Sequence, residues 1–63
     1  MSQLRAERTK RGWTLARVSM VTGIAVPDLS LLERGMRPAW PGWRRRLARA
    51  FGVSIQELFG HEL

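Results

Sequence analysis

The sequence predicts an all-α domain of five short helices, and three observations predict it. Gly12, Gly23, Gly35 and Gly52 fall where helical patterns stop, as a left-handed residue does at a helix C-terminus. A residue suited to opening a helix follows each of them: Thr14, Pro27, Pro41 and Ser54. Nowhere does apolar and polar alternation of the kind a strand needs persist for five residues. With 63 residues, no repeat and no linker-like tract, one domain spanning 1–63 is expected. A domain of this size hides only about 60% of its unfolded surface, so its core has little to spare.

The first helix is expected from about Ser2 to Arg11, mostly basic, with Leu4 and Ala6 as its apolar residues. The second starts after the N-cap Thr14 and ends before Gly23, turning Leu15, Val18, Ser19 and Thr22 inward. That is a polar stripe for a core face. The third is expected from Pro27 to Gly35. Val26, biased toward extended geometry by the following proline, is placed at the N-cap and Pro27 at the first helical position. Leu29 and Leu32 share its inner face. The fourth starts near Pro41, with Trp40, Trp43, Leu47, Ala50 and Phe51 as its apolar face and both tryptophans filling the core. Arg44, Arg45, Arg46 and Arg49 cover the rest. The fifth opens on Ser54-Ile55-Gln56-Glu57, a capping box, after which Ile55, Leu58 and Phe59 close over the core.

Composition excludes several classes. There is no cysteine, hence no disulfide or thiolate metal site. The single histidine, His61, has no second ligand nearby and reads as a solvated tail residue. No metal or other cofactor is expected. The sequence has no apolar run of membrane-spanning length and no signal-peptide core at its N-terminus, so a cytoplasmic protein is expected. No paired carboxylates, nucleophile–base set or glycine-rich phosphate loop point to an enzyme. Net charge is +6, and every basic residue except Lys10 is arginine. That excess suits a polyanion, and the guanidinium fork matches phosphate and guanine edges.

Two short helices separated by Gly23-Ile24-Ala25-Val26 form a helix-turn-helix pattern over about residues 14–34. Glycine permits the reversal, and Ile24 plugs the space between the helices. Three stretches make the likeness specific: Arg11-Gly12-Trp13-Thr14, Leu29-Ser30-Leu31-Leu32-Glu33-Arg34-Gly35, and Leu47-Ala48-Arg49-Ala50-Phe51-Gly52-Val53-Ser54-Ile55-Gln56-Glu57-Leu58. From Leu4 to Gly60 the chain resembles the Cro/CI-type, lambda-repressor-like helix-turn-helix domains, also called XRE regulators. The resemblance implies a compact five-helix lambda-repressor-like domain whose third helix enters the DNA major groove. It also implies a structural pair between Arg8 and Glu33.

Carried onto this sequence, the base-facing positions are Val26, Pro27, Asp28, Ser30 and Leu31. The family usually has polar residues at the start of this helix, whereas Val26, Pro27 and Leu31 offer no side-chain hydrogen bond. Val26 and Leu31 could touch thymine methyl groups, and Asp28 could accept from a cytosine amino group. The phosphate-facing set is Arg34, Arg37, Trp43, Arg44 and Arg45 around the start of the fourth helix, with Arg17 reaching the opposite strand. Arg46 and Arg49 are expected to be merely solvated. The leading reading is a regulator of double-stranded DNA acting as a homodimer, with Leu58, Phe59 and the C-terminal tail as dimer contacts. The alternative is a protein-interaction module, antirepressor-like or antitoxin-like, whose partner meets an apolar patch of Val26, Pro27, Leu31 and Leu15.

Overall fold

The computed structural model describes residues 3–60; Ser2, expected to open the first helix, and His61 with the rest of the tail lie outside them. The chain is all-α, with helices α1 (Gln3–Lys10), α2 (Leu15–Thr22), α3 (Val26–Glu33), α4 (Pro41–Phe51) and α5 (Ile55–Phe59). No strand occurs among the described residues.

α2 begins as its sequence dictates. Thr14 is extended (ψ 165°), and its hydroxyl accepts from the Arg17 amide. It ends at Gly23, whose φ of 78° only glycine adopts at little cost, and the Gly23 amide donates to the Ser19 carbonyl. The polar stripe resolves at Thr22, which is buried. Its hydroxyl donates to the Val18 carbonyl (2.7 Å) and accepts from the Ile24 amide (3.2 Å). A core-facing hydroxyl with both functions met carries no desolvation penalty of consequence.

α3 starts one residue earlier than the sequence suggests. The Leu29 amide reaches the Ala25 carbonyl at 3.0 Å, so Ala25, not Val26, is the extended N-cap. Val26 is therefore helical despite preceding proline, and Pro27 takes the second position, where its missing N–H again costs nothing. The helix stops at Glu33 rather than Gly35, and amides of Gly35 and Met36 turn back to the carbonyls of Leu32 and Leu31. Between α2 and α3 the chain turns by 113°, the crossing expected of a helix-turn-helix pair.

α2 packs on α3 and α4, α1 on α3 and α5, and α4 on α5. The core they enclose is Leu4, Val18, Ile24, Leu29, Leu32, Leu47, Ala48, Phe51 and Leu58. Ile24 is 1% exposed and wedges the turn against that core. Leu47 is fully enclosed, and its replacement by alanine would cost about 3 kcal/mol, a large share of what so small a core provides.

Two core assignments and one dimer contact are corrected. Trp40 is 54% exposed, because as the extended N-cap of α4 it projects ahead of the helix while Ala39 and Trp43 pack beneath. Ile55 is 38% exposed, since the first position of the one-turn α5 lies on its outer side. Leu58 is 3% exposed and so belongs to the core, which removes it from the dimer contacts. The capping box forms as read: the Ser54 hydroxyl accepts from the Glu57 amide, and the Glu57 carboxylate accepts from the Ser54 amide.

Candidate nucleic-acid interface

The first-turn side chains of α3 set the character of its outer face. Val26 and Pro27 are exposed, Asp28 and Ser30 half-buried. Leu31 is half-buried, and Leu15 packs against the core. The four-residue apolar patch expected from the sequence thus shrinks to Val26 and Pro27 as its exposed part. Asp28 is not an isolated negative charge. Arg37 Nε lies 3.6 Å from its Oδ1, so the segment after α3 returns a cation to the start of the helix.

Behind this face, α3 is fixed to α1 by the expected pair. Arg8 Nε and Nη2 donate to the two oxygens of Glu33 at 2.6 and 3.0 Å, and Nη1 donates to the Trp13 carbonyl at 2.9 Å. The guanidinium thus ties the end of α3 and the α1–α2 loop to one point. The hydrogen bond to Glu33 raises the Arg8 pKa above its ordinary value, against the opposing effect of burial. Both charges lie inside the fold, so the pair fixes where α3 sits more than it stabilises the chain.

The arginines divide by what already holds them. The Arg17 guanidinium lies 5.0 Å over the Trp13 ring at the exposed start of α2. Arg34 is exposed, with a long 3.4 Å bond from Nε to the Ser30 carbonyl. Arg44 is half-buried: Nε donates to the Ala39 carbonyl at 2.9 Å, and the group lies 5.5 Å from the centre of the Phe59 ring. Arg45 is exposed, and Trp43 half-buried against the core. Arg17 therefore extends from the start of α2, Arg34 from the end of α3, and Arg37 from the segment after it, back toward Asp28. Arg44 and Trp43 are held closer to the body of the fold.

Some residues escaped the sequence reading. Arg11 is structural: Nη2 donates to the Phe51 carbonyl at 2.6 Å, closing the end of α4, and Nη1 pairs with Glu7 at 2.6 Å. The i, i+4 spacing of Glu7 and Arg11 was the available signal. Arg46, read as solvated, reaches the Thr22 carbonyl at 3.5 Å beside the turn between α2 and α3. Met36 (67% exposed) joins Trp40 as a second large apolar side chain in the segment between α3 and α4.

A family model described as a helix-turn-helix domain matches residues 2–59. The chain belongs to the helix-turn-helix domain family. This membership agrees with the Cro/CI-type likeness and with the five-helix fold. It brings the family's coarse property, DNA binding. No curated protein and no solved structure gives a significant match. Among the described residues no group of three or more His, Asp or Glu could hold a metal ion, and no single helix is long and apolar enough to cross a membrane.

Proposed function

We propose that this helix-turn-helix domain is a transcriptional regulator that lays α3 in the major groove of double-stranded DNA. The observation that carries the reading is the 113° turn between α2 and α3, with Val26 and Pro27 exposed at the start of α3 and Arg37 beside Asp28. Val26, Pro27, Asp28, Ser30 and Leu31 then face the bases. Val26 offers a surface for a thymine methyl group, and Asp28 an acceptor for a cytosine amino group, in competition with Arg37. Three apolar residues, one serine and one neutralised acid give weak discrimination, so phosphate contacts dominate affinity.

Those contacts come from Arg17 on one strand and from Arg34, Arg37, Arg44 and Arg45 on the other. The start of α4 adds to them, since the first-turn amides of Gly42 and Trp43 have no acceptor within the helix and carry its positive dipole end. Trp43 packs at this point, and Trp40, the more exposed indole, lies across the sugar edge. The domain acts as a homodimer on two half-sites roughly 34 Å apart, because one such face offers too few contacts alone. Phe59 and Ile55 are the side chains of α5 left for the dimer contact once Leu58 is in the core. The reduced apolar area on α3 favours DNA over a protein partner at that face.

Fluorescence anisotropy of a labelled random-sequence duplex, titrated with protein at low and at physiological salt, tests the reading. The expected result is binding whose logarithm falls linearly with the logarithm of salt, with a slope of about −4.5 for the five phosphate contacts of one domain. No binding at low salt would overturn it and would turn the search to a protein partner of Val26 and Pro27.

A further inference from the structure

An open groove of about 650 Å³ runs between the end of α2 and the middle of α4. Val21 and Ala50 contribute apolar surface to it, and Arg45, Arg46 and Arg49 line it. Val21 is 49% exposed there. The arginines occupy one helix at i, i+1 and i+4, so each raises the electrostatic energy of its neighbours.

Among the described residues no carboxylate relieves them. Glu7 is taken by Arg11 and Lys10, Asp28 by Arg37, Glu33 by Arg8, and Glu57 by the Ser54 amide. The one recorded bond from these arginines is that of Arg46 to the Thr22 carbonyl, which holds it on the α2 side of the groove. A second copy of the chain would bring a further net charge of +6 and no spare carboxylate among its described residues. Self-association through the described residues therefore leaves the groove uncompensated. A DNA backbone would match the charge, and Arg45 and the Gly42 amide on the α4 side of the groove are among its proposed contacts. Val21, Arg46 and Arg49 are not, and Val21 lies about 10 Å along α2 from Thr14 and the proposed phosphate contact of Arg17. DNA would also leave Val21 and Ala50 without an apolar partner.

We propose that this groove docks an acidic amphipathic helix of a partner protein. Its aliphatic stripe lies on Val21 and Ala50, and flanking carboxylates accept from the guanidinium forks of Arg46 and Arg49. Because Val21, Ala50, Arg46 and Arg49 lie outside the proposed DNA contacts, and only Arg45 and Gly42 are shared with them, the domain binds this partner and DNA together.

The test uses the full chain and a fluorescein-labelled peptide of about 18 residues, long enough to form a helix, with a leucine stripe flanked by glutamates. Two control probes are its glutamine-for-glutamate version and polyglutamate. The peptide is expected to bind and both controls to bind poorly. Arg46→Gln together with Arg49→Gln is expected to weaken the peptide about tenfold, two exposed ion pairs being lost. Val21→Ser is expected to weaken it as well, through the apolar contact alone. Circular dichroism checks that the variants fold, as exposed substitutions on α4 permit. Duplex DNA affinity should fall less than peptide affinity in the glutamine variant, since Arg46 and Arg49 are not among the proposed phosphate contacts and Arg45 is retained. Unchanged peptide affinity in the glutamine variant would overturn the proposal, and so would polyglutamate binding as well as the peptide. DNA that displaces the peptide, with DNA affinity lost in step in the variant, would assign the groove to the nucleic-acid face instead.

Discussion

Arg37 Nε stands 3.6 Å from Asp28 Oδ1, so the segment that follows α3 neutralises the acid at the start of the same helix. The contact tethers one of the proposed phosphate cations, and it sits where a negative charge opposes DNA. Asp28→Asn removes the acid and leaves Arg37 to phosphate alone. Affinity for duplex DNA is expected to rise about three- to tenfold, with the salt slope changed by less than about one because the number of phosphate contacts stays the same. Stability should fall by about 0.5 kcal/mol, since Asp28 also complements the N-terminal dipole of α3. Anisotropy across a salt series reads the first effect and thermal unfolding the second. Unchanged or weaker DNA binding would show that Asp28 does not face the duplex.

Arg37→Ala and Arg44→Ala separate two kinds of phosphate arginine. Each is expected to weaken binding on all sequences alike and to flatten the salt slope by about one. Only Arg44→Ala should also destabilise the fold, by about 1 kcal/mol, through loss of the bond to the Ala39 carbonyl and the packing over Phe59. Identical slopes in wild type and both variants would remove the start of α4 from the DNA surface.

What the sequence disclosed and what it hid follow different physics. Helix ends were legible because caps are local: Thr14 and the Ser54–Glu57 box act within three residues, and Gly23 answers a backbone angle. The Arg8–Glu33 pair was legible only through family resemblance, since nothing local links residues 25 positions apart. Trp40 was misread because hydrophobicity does not say which way a side chain leaves an N-cap. The destinations of Arg11, Arg44 and Arg46 were hidden for a similar reason. A guanidinium can reach several carbonyls, and which one it meets depends on how the helices cross. The outer face of α3 was legible as positions, while the ion pair that tempers Asp28 needed the path of the chain after the helix.

Glu33→Ala is expected to cost about 3 kcal/mol, because it strands the Arg8 guanidinium inside the fold. For a domain of this size that is on the order of half the total stability. Replacing both partners, Arg8→Met with Glu33→Leu, should recover most of the loss, as apolar pairs of similar volume often match buried ion pairs. Urea unfolding of the wild type, the single and the double variant forms the comparison. A double variant as unstable as Glu33→Ala would mean that the bond from Arg8 to the Trp13 carbonyl, rather than the charge pair, holds α1 to the rest.

The Glu7 carboxylate gives the fold an acid-sensitive link. The hydrogen bond from Arg11, then that from Lys10, holds its pKa below the ordinary 4.5, against a small opposing effect of burial. A group whose pKa is depressed on folding stabilises above its unfolded value and loses that contribution as pH falls through the folded value. The wild type should therefore melt higher than Glu7→Gln at neutral pH, and the gap should close as the pH drops below about 4.5. The same loss frees Arg11 to loosen from the Phe51 carbonyl, so amides at the end of α4 should lose protection in acid relative to their intrinsic exchange rate. Melting curves and hydrogen exchange over a pH series, with a carbon-detected titration of the Glu7 carboxyl, check both parts. A midpoint at or above 4.5, or a gap between the two proteins that does not vary with pH, would rule out the link.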